Sequence, residues 1–110
     1  MTPTVRGATE FEAEVLGQAD PVLVACLDER GEMDGLAEAV HTAAKSFEGE
    51  IRVRLVDSDL LPMLRNRLGV TGTPTILLFK EGRECSRLLG RFEDEHILAF
   101  LRRHLDATAH

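Results

Sequence analysis

The run Val22-Leu23-Val24-Ala25-Cys26-Leu27 is apolar at every position. A strand with one wet face alternates apolar and polar residues, whereas a strand covered on both faces reads as a continuous hydrophobic run. Asp20-Pro21 breaks the chain before the run, and the acidic stretch "DERGEMDG", residues 28–35, follows it. The run therefore predicts a central strand in a sheet that carries helices on both faces. In α/β folds the carboxyl end of such a strand is where ligands and chemistry sit, so the acidic stretch occupies a functional position.

The flanking segments supply the covering layers. Residues 8–18 place Phe11, Val15 and Leu16 on one side of a short helix, with Thr9 as N-cap and Glu10 and Glu12 in the first turn. From Asp34 to Phe47, Leu36, Val40, Ala43, Ala44 and Phe47 recur at helical spacing, and Gly49 stops the helix. "IRVRLVD", residues 51–57, alternates Ile51, Val53 and Leu55 with Arg52 and Arg54, as a strand partly solvated on one face does. Asp57-Ser58-Asp59 caps a short helix with Pro62 near its first turn, Leu61, Leu64 and Leu68 on one face and Gly69 at its end. "VTGTPT" is a breaker-rich turn, "TILLFK" at 75–80 is a strand, and Glu81-Gly82 turns it into an antiparallel edge strand over residues 83–90. The last helix, residues 93–105, begins with Glu93, Asp94 and Glu95, ends with Arg102, Arg103 and His104, and buries Ile97, Leu98, Leu101 and Leu105 with Phe100 flanking. The tail 106–110 carries nothing that needs packing and is expected to fray.

Composition narrows the function classes. With 110 residues and 44% hydrophobic content there is material for a single domain, its core at about residues 8–105. The net charge of −6, from 19 acidic and 13 basic residues mixed along the chain, argues against a nucleic-acid footprint. No apolar run reaches the ~20 residues of a membrane span, and no charged-then-apolar leader opens the sequence, so a cytoplasmic protein without a membrane partner is expected. The two cysteines, Cys26 and Cys85, form neither a CxxC pair nor a zinc spacing, and His41, His96, His104 and His110 are scattered, so no metal and no cofactor is expected.

The order α-β-α-β-α-β-β-α and four motifs together resemble the thioredoxin family: "PVLV" at 21–24, "VDSDLLPMLRNRLGV" at 56–70, "GTPTILLFKEG" at 72–82 and "RLLG" at 87–90. The resemblance spans about residues 8–105. It implies a three-layer α/β fold, with a central mixed sheet of four to five strands and helices on both faces. It also implies a cis bond between Thr73 and Pro74, in a loop formed by Gly72, Thr73 and Pro74 that faces the active site. Where the family commonly has an apolar β-branched residue before this proline, this chain has Thr73.

The departures are as informative. Counted without a gap from Pro21, the family's Trp-Cys-Gly-Pro-Cys falls on Arg30-Gly31-Glu32-Met33-Asp34, and the family's buried acid falls on Ala25. Dithiol exchange needs one thiolate to attack and a second thiol to resolve the mixed disulfide. Glycine and aspartate do neither, so no catalytic residue is expected in this loop. Glu29, Glu32 and Asp34 lack the oxygen count and spacing of a cation loop. Glu32 and Asp34 fit instead as anions at a helix start, worth ~0.3–1 kcal/mol each where exposed, with Asp34 as a cap.

Cys26, inside the apolar run, reads as a small buried hydrophobe with a raised pKa. Cys85 falls on the edge strand and is the better candidate for a reactive thiol. In the family's sheet a strand separates the two, and two spacings of ~4.8 Å exceed the ~7 Å limit between bridged Cα atoms.

Two functions are in competition. The first is a binding accessory or chaperone-like module that has lost dithiol–disulfide activity and holds an extended polypeptide segment of a client in the groove of residues 30–34, 57–59 and 71–75. The second is an oxidoreductase in cell redox homeostasis that uses Cys85 or Cys26 as a lone thiol. A homo-oligomer joined through the groove or the edge strand is a third arrangement open to the sequence.

Overall fold

Five strands hydrogen-bond in the order β1-β3-β2-β4-β5 in the computed structural model of the chain, which describes residues 4–27, 35–71, 74–90 and 93–106. They are β1 (Thr4–Val5), β2 (Val22–Cys26), β3 (Arg52–Val56), β4 (Thr75–Lys80) and β5 (Arg83–Leu89). β2 pairs in parallel with β3 and antiparallel with β4, and β4 pairs antiparallel with β5, so the sheet is mixed. The helices are α1 (Ala8–Phe11), which runs into a π-helical turn (Glu12–Leu16), then α2 (Leu36–Lys45), α3 (Leu61–Leu68) after a 3-10 turn (Ser58–Leu60), and α4 (Asp94–Asp106).

The doubly covered strand is β2, whose residues Val22 to Cys26 are all fully buried. Alternate side chains enter two separate cores. Leu23, Ala25 and Leu27 join Ile76 and Leu78 of β4 against Val40, Ala43 and Phe47 from the α2 region and Ile97, Phe100 and Leu101 of α4. Val22, Val24 and Cys26 join Leu77 and Phe79 against Phe11 and Val15 on one side and Leu60, Leu64 and Val70 on the other. Each fully buried Val or Leu contributes ~1.5–3 kcal/mol, so two strands of such residues fix the three-layer arrangement. Phe11 meets Phe79 edge to face, with ring centroids 5.9 Å apart and planes at 83°.

Three local features differ from the sequence expectations. The core begins at Thr4 rather than at residue 8, because β1 pairs with β3 through Thr4–Leu55 and Val5–Val56 and the Asp57 N–H donates to the Val5 carbonyl at 3.0 Å. The first helix is capped at Gly7, not Thr9. Gly7 has an extended backbone, its carbonyl accepts from the Phe11 N–H at 2.9 Å, and the Glu10 carboxylate accepts from the Arg6 N–H at 3.5 Å. That helix also widens into a π turn, closed by the Gly17 N–H donating to the Glu12 carbonyl at 2.7 Å. This turn carries Glu14 to Arg54, with Nε to Oε1 at 3.0 Å and only 15% of the Arg54 side chain exposed. Arg54 is therefore largely covered, whereas Arg52 is the solvated member of the pair.

The hairpin β4–β5 turns through Glu81 and Gly82, both with positive φ, 52° and 79°. The turn packs on the end of the π turn so closely that a Cβ on Gly82 would lie 2.3 Å from the Leu16 carbonyl oxygen. Gly49 has a similar φ of +87° but nothing within 4 Å of its Cβ position. Gly49→Ala should then cost only the left-handed backbone penalty of ~1–2 kcal/mol. Gly82→Ala should cost roughly 2 kcal/mol more, as a clash between backbone atoms does. Urea midpoints of the two variants measure the difference; equal losses would contradict the close approach.

Candidate functional site

One row of cross-strand partners marks the end of the sheet where the site lies. Val5 pairs with Val56, Val56 with Cys26, Cys26 with Thr75, and Thr75 with Leu89. This row is at the carboxyl end of the parallel strands β2 and β3, the location at which α/β sheets bind ligands. The chain leaves β2 here toward α2, leaves β3 here through Asp57–Asp59, and enters β4 here through Pro74. Of the predicted groove segments, 57–59 and the part of 71–75 at Pro74 and Thr75 thus meet at this end.

Asp57 shapes its own segment. Its Oδ1 accepts from the Asp59 N–H at 3.0 Å, and its carbonyl accepts from the Leu60 N–H at 2.9 Å, which starts the 3-10 turn. Val70 is buried, Thr71 exposed and Pro74 half-buried. The Pro74 carbonyl accepts from the Gly90 N–H at 3.3 Å, fastening Pro74 to the end of β5. Gly72 and Thr73, with the expected cis bond, and Arg30, Gly31, Glu32, Met33 and Asp34 lie outside the described residues. The N-cap position of α2 falls on Gly35, with φ 81° and no side chain to cap with, and the Gly35 carbonyl accepts from the Ala39 N–H at 3.0 Å. The helix therefore starts at Leu36, later than the sequence pattern suggested.

The two thiols have different surroundings. Cys26 is fully buried, and burial pushes its pKa from 9.0 up to about 12, with Arg87 opposing and Glu84 adding to the rise. Cys85 is exposed, yet partial burial raises its pKa as well, against the pull of Lys80. Neither thiol has the depressed pKa of an activated nucleophile. β4 lies between their strands, as the sequence argument required for two unpaired cysteines. Among the described residues, no group of three or more His, Cys, Asp or Glu could hold a metal ion, and no helix is long and apolar enough to cross a membrane.

Sequence reasoning missed Leu89. It is the large hydrophobic residue left exposed among those described, with 63% of its surface open, and it stands beside Thr75 in the end row. An apolar residue closing an edge strand next to Pro74 was the available signal. A cavity of about 240 Å³ lined by Asp20, Gly49, Glu50, Ile51 and Arg52 lies at the opposite end of the sheet. It is smaller than the ~300 Å³ at which small-molecule sites begin, and its charged pair, Arg52 and Asp20 at 3.4 Å, is solvated.

A family model described as thioredoxin matches residues 3–103. Thioredoxin 1 of a Nostoc species is 30% identical over 100 residues, covering 86% of this chain and 90% of the relative. A thioredoxin of Pseudomonas aeruginosa is 30% identical over 92 residues, covering 83% and 85%. A thioredoxin of Griffithsia pacifica is 26% identical over 105 residues, covering 91% and 93%.

With the Cys26 pKa raised from 9.0 to about 12, its thiolate fraction at pH 8 falls roughly a thousandfold. A disulfide dye at pH 8 should therefore titrate one thiol, Cys85, in the folded protein and two in denaturant. Rapid labelling of Cys26 in the native state would contradict the burial. The sign for stability follows: the unfolded chain loses this proton first, so stability falls as the pH climbs from about 9 toward 12.

Proposed function

This chain belongs to the thioredoxin family, and from that premise we propose that it is a polypeptide-binding member that does not exchange dithiols for disulfides. The groove is the one the resemblance implies, drawing on Arg30, Gly31, Glu32, Met33 and Asp34 and on Gly72, Thr73 and Pro74, and the exposed Leu89 at the end of β5 is proposed as its apolar contact. The observation that carries this function is Leu89: an exposed large apolar side chain, one residue from the amide that holds Pro74. Such a side chain contributes affinity only where a partner covers it.

The binding mode that fits is strand-like. An extended segment lying beside Pro74 would offer backbone hydrogen bonds to the loop and one apolar side chain to Leu89. The net charge of −6 and the acidic loop favour a basic or polar segment. With cysteines at only positions 26 and 85, the sequence has no adjacent pair to resolve a mixed disulfide. The protein is then an accessory or chaperone-like module, working in the cytoplasm and dependent on no cofactor.

The relatives' names favour a second function, redox homeostasis through a lone thiol, for which exposed Cys85 is the candidate. Its raised pKa weighs against it. A pH profile of Cys85 alkylation separates the two: an inflection below pH 7 would support the redox function and count against the binding module.

The binding function is tested with a reduced, carbamidomethylated, permanently unfolded polypeptide carrying a fluorophore. Leu89→Lys should weaken its binding at least tenfold. Because Leu89 is exposed, the unfolding free energy should stay within ~0.5 kcal/mol of the parent. Unchanged affinity in a folded Leu89→Lys variant would remove Leu89 from the groove and, with it, the proposal's main support.

A further inference from the structure

Arg87 on β5 ties the strand to the end of α3. Its Nη2 donates to the Leu68 carbonyl at 2.7 Å and its Nη1 to the Gly69 carbonyl at 3.4 Å. The last carbonyls of a helix have no partner within it, and a cation there also complements the helix dipole. α3 ends at Leu68, and Gly69 adopts the left-handed conformation with its N–H returned to the Arg65 carbonyl. Arg87 thus fixes the carbonyls that the helix itself leaves free.

The guanidinium is in turn oriented by Glu84. Nε meets Oε2 at 2.6 Å and Nη2 meets Oε1 at 2.7 Å, a two-point contact with 28% and 20% of the two side chains exposed. Fork-to-fork pairing of this kind fixes direction as well as distance. Residues three apart on a regular strand point to opposite faces. Here Ser86 pairs with Leu78 and Glu84 with Phe79, which leaves Cys85 as the extra residue of a β-bulge. The bulge moves Glu84 to the face of Arg87 and Leu89, and re-aiming a side chain is a recurrent use of bulges.

β5 therefore grips the chain at two places: through Arg87 at Leu68 and Gly69, and through the Gly90 N–H at Pro74. Four residues intervene between Gly69 and Pro74, and the first of them, Val70, is buried in the core. We propose that Arg87, braced by Glu84, is the positioning residue of the groove, setting where the chain leaves α3 and so where the segment leading to Pro74 meets a bound polypeptide. This rests on the groove function proposed above and adds the element that holds the groove in shape.

The test uses the full chain with Arg87→Met, Arg87→Lys, Glu84→Gln and Cys85→Ala. Amide exchange is followed at Gly69 and Val70, with Leu77 and Leu78 in β4 as reporters of global opening, alongside affinity for the carbamidomethylated polypeptide. Arg87→Met should speed exchange at Gly69 and Val70 at least tenfold while Leu77 and Leu78 change less than threefold, and should weaken binding at least fivefold. Arg87→Lys should not restore binding, because one ammonium cannot serve two carbonyls and a carboxylate in that geometry. Glu84→Gln should fall between, and Cys85→Ala should match the parent, since the bulge belongs to the backbone.

Exchange that rises equally at all four amides would overturn the proposal, by making Arg87 a general stabiliser. Faster local exchange with unchanged affinity would overturn it too. Should the parent bind no polypeptide at all, the groove function fails, and the inference that Arg87 positions a binding groove falls with it; the exchange arm then still shows whether Arg87 holds the end of α3.

Discussion

The burial of β2 on both faces is the constraint on which the structure depends. Five consecutive residues without exposed surface can be accommodated only between two helical layers, and each neighbouring element is placed by which side of β2 it covers. Leu23 and Ala25 demand α2 and α4; Val22, Val24 and Cys26 demand α1 and α3. The parallel pairing with β3 and the antiparallel pairing with β4 then bring the exit of β2, the exit of β3 and the entry of β4 to one end of the sheet. The site is a consequence of that convergence, not a separate invention of the loops.

The same constraint decides the fate of the thiols. Cys26 belongs to the strand and is sealed by it, so its chemistry is that of a small apolar side chain. Cys85 belongs to the edge strand, where it is the odd residue of a bulge. The bulge uses the backbone at Cys85 to align Glu84 with Arg87, which is a structural role that does not call on the sulfur. Apolar exposure at this end of the sheet comes instead from Leu89, and the hydrogen-bonded neighbour of Leu89 in the chain is the residue that holds Pro74.

How much of this was legible in the sequence follows from which forces are local. The strands at 22–26 and 75–80 and the turn at Glu81-Gly82 declare themselves, because continuous burial and paired left-handed residues leave composition signals. β1 does not, since two residues have no periodicity and Thr4–Val5 is a strand only by virtue of its pairing with β3. Thr9 is a good cap residue in isolation, but the Arg6 and Glu10 contact and the extended backbone of Gly7 start the helix earlier. Arg54 reads as a solvated charge until the π turn brings Glu14 over it.

Of the site, the place of Pro74 at the entry of β4 and the burial of Cys26 were legible, whereas Leu89 and the Glu84–Arg87 pair were not. Strict alternation along β5 places Glu84 and Arg87 on opposite faces, and only the register seen in three dimensions reverses it.

The central claim is that the groove persists without a dithiol reagent. Reduction of insulin disulfides by dithiothreitol, followed by the turbidity of the released chains with and without the protein, tests it most directly. The account predicts a rate no greater than that of dithiothreitol alone. Acceleration comparable to that of an ordinary thioredoxin at the same concentration would contradict it.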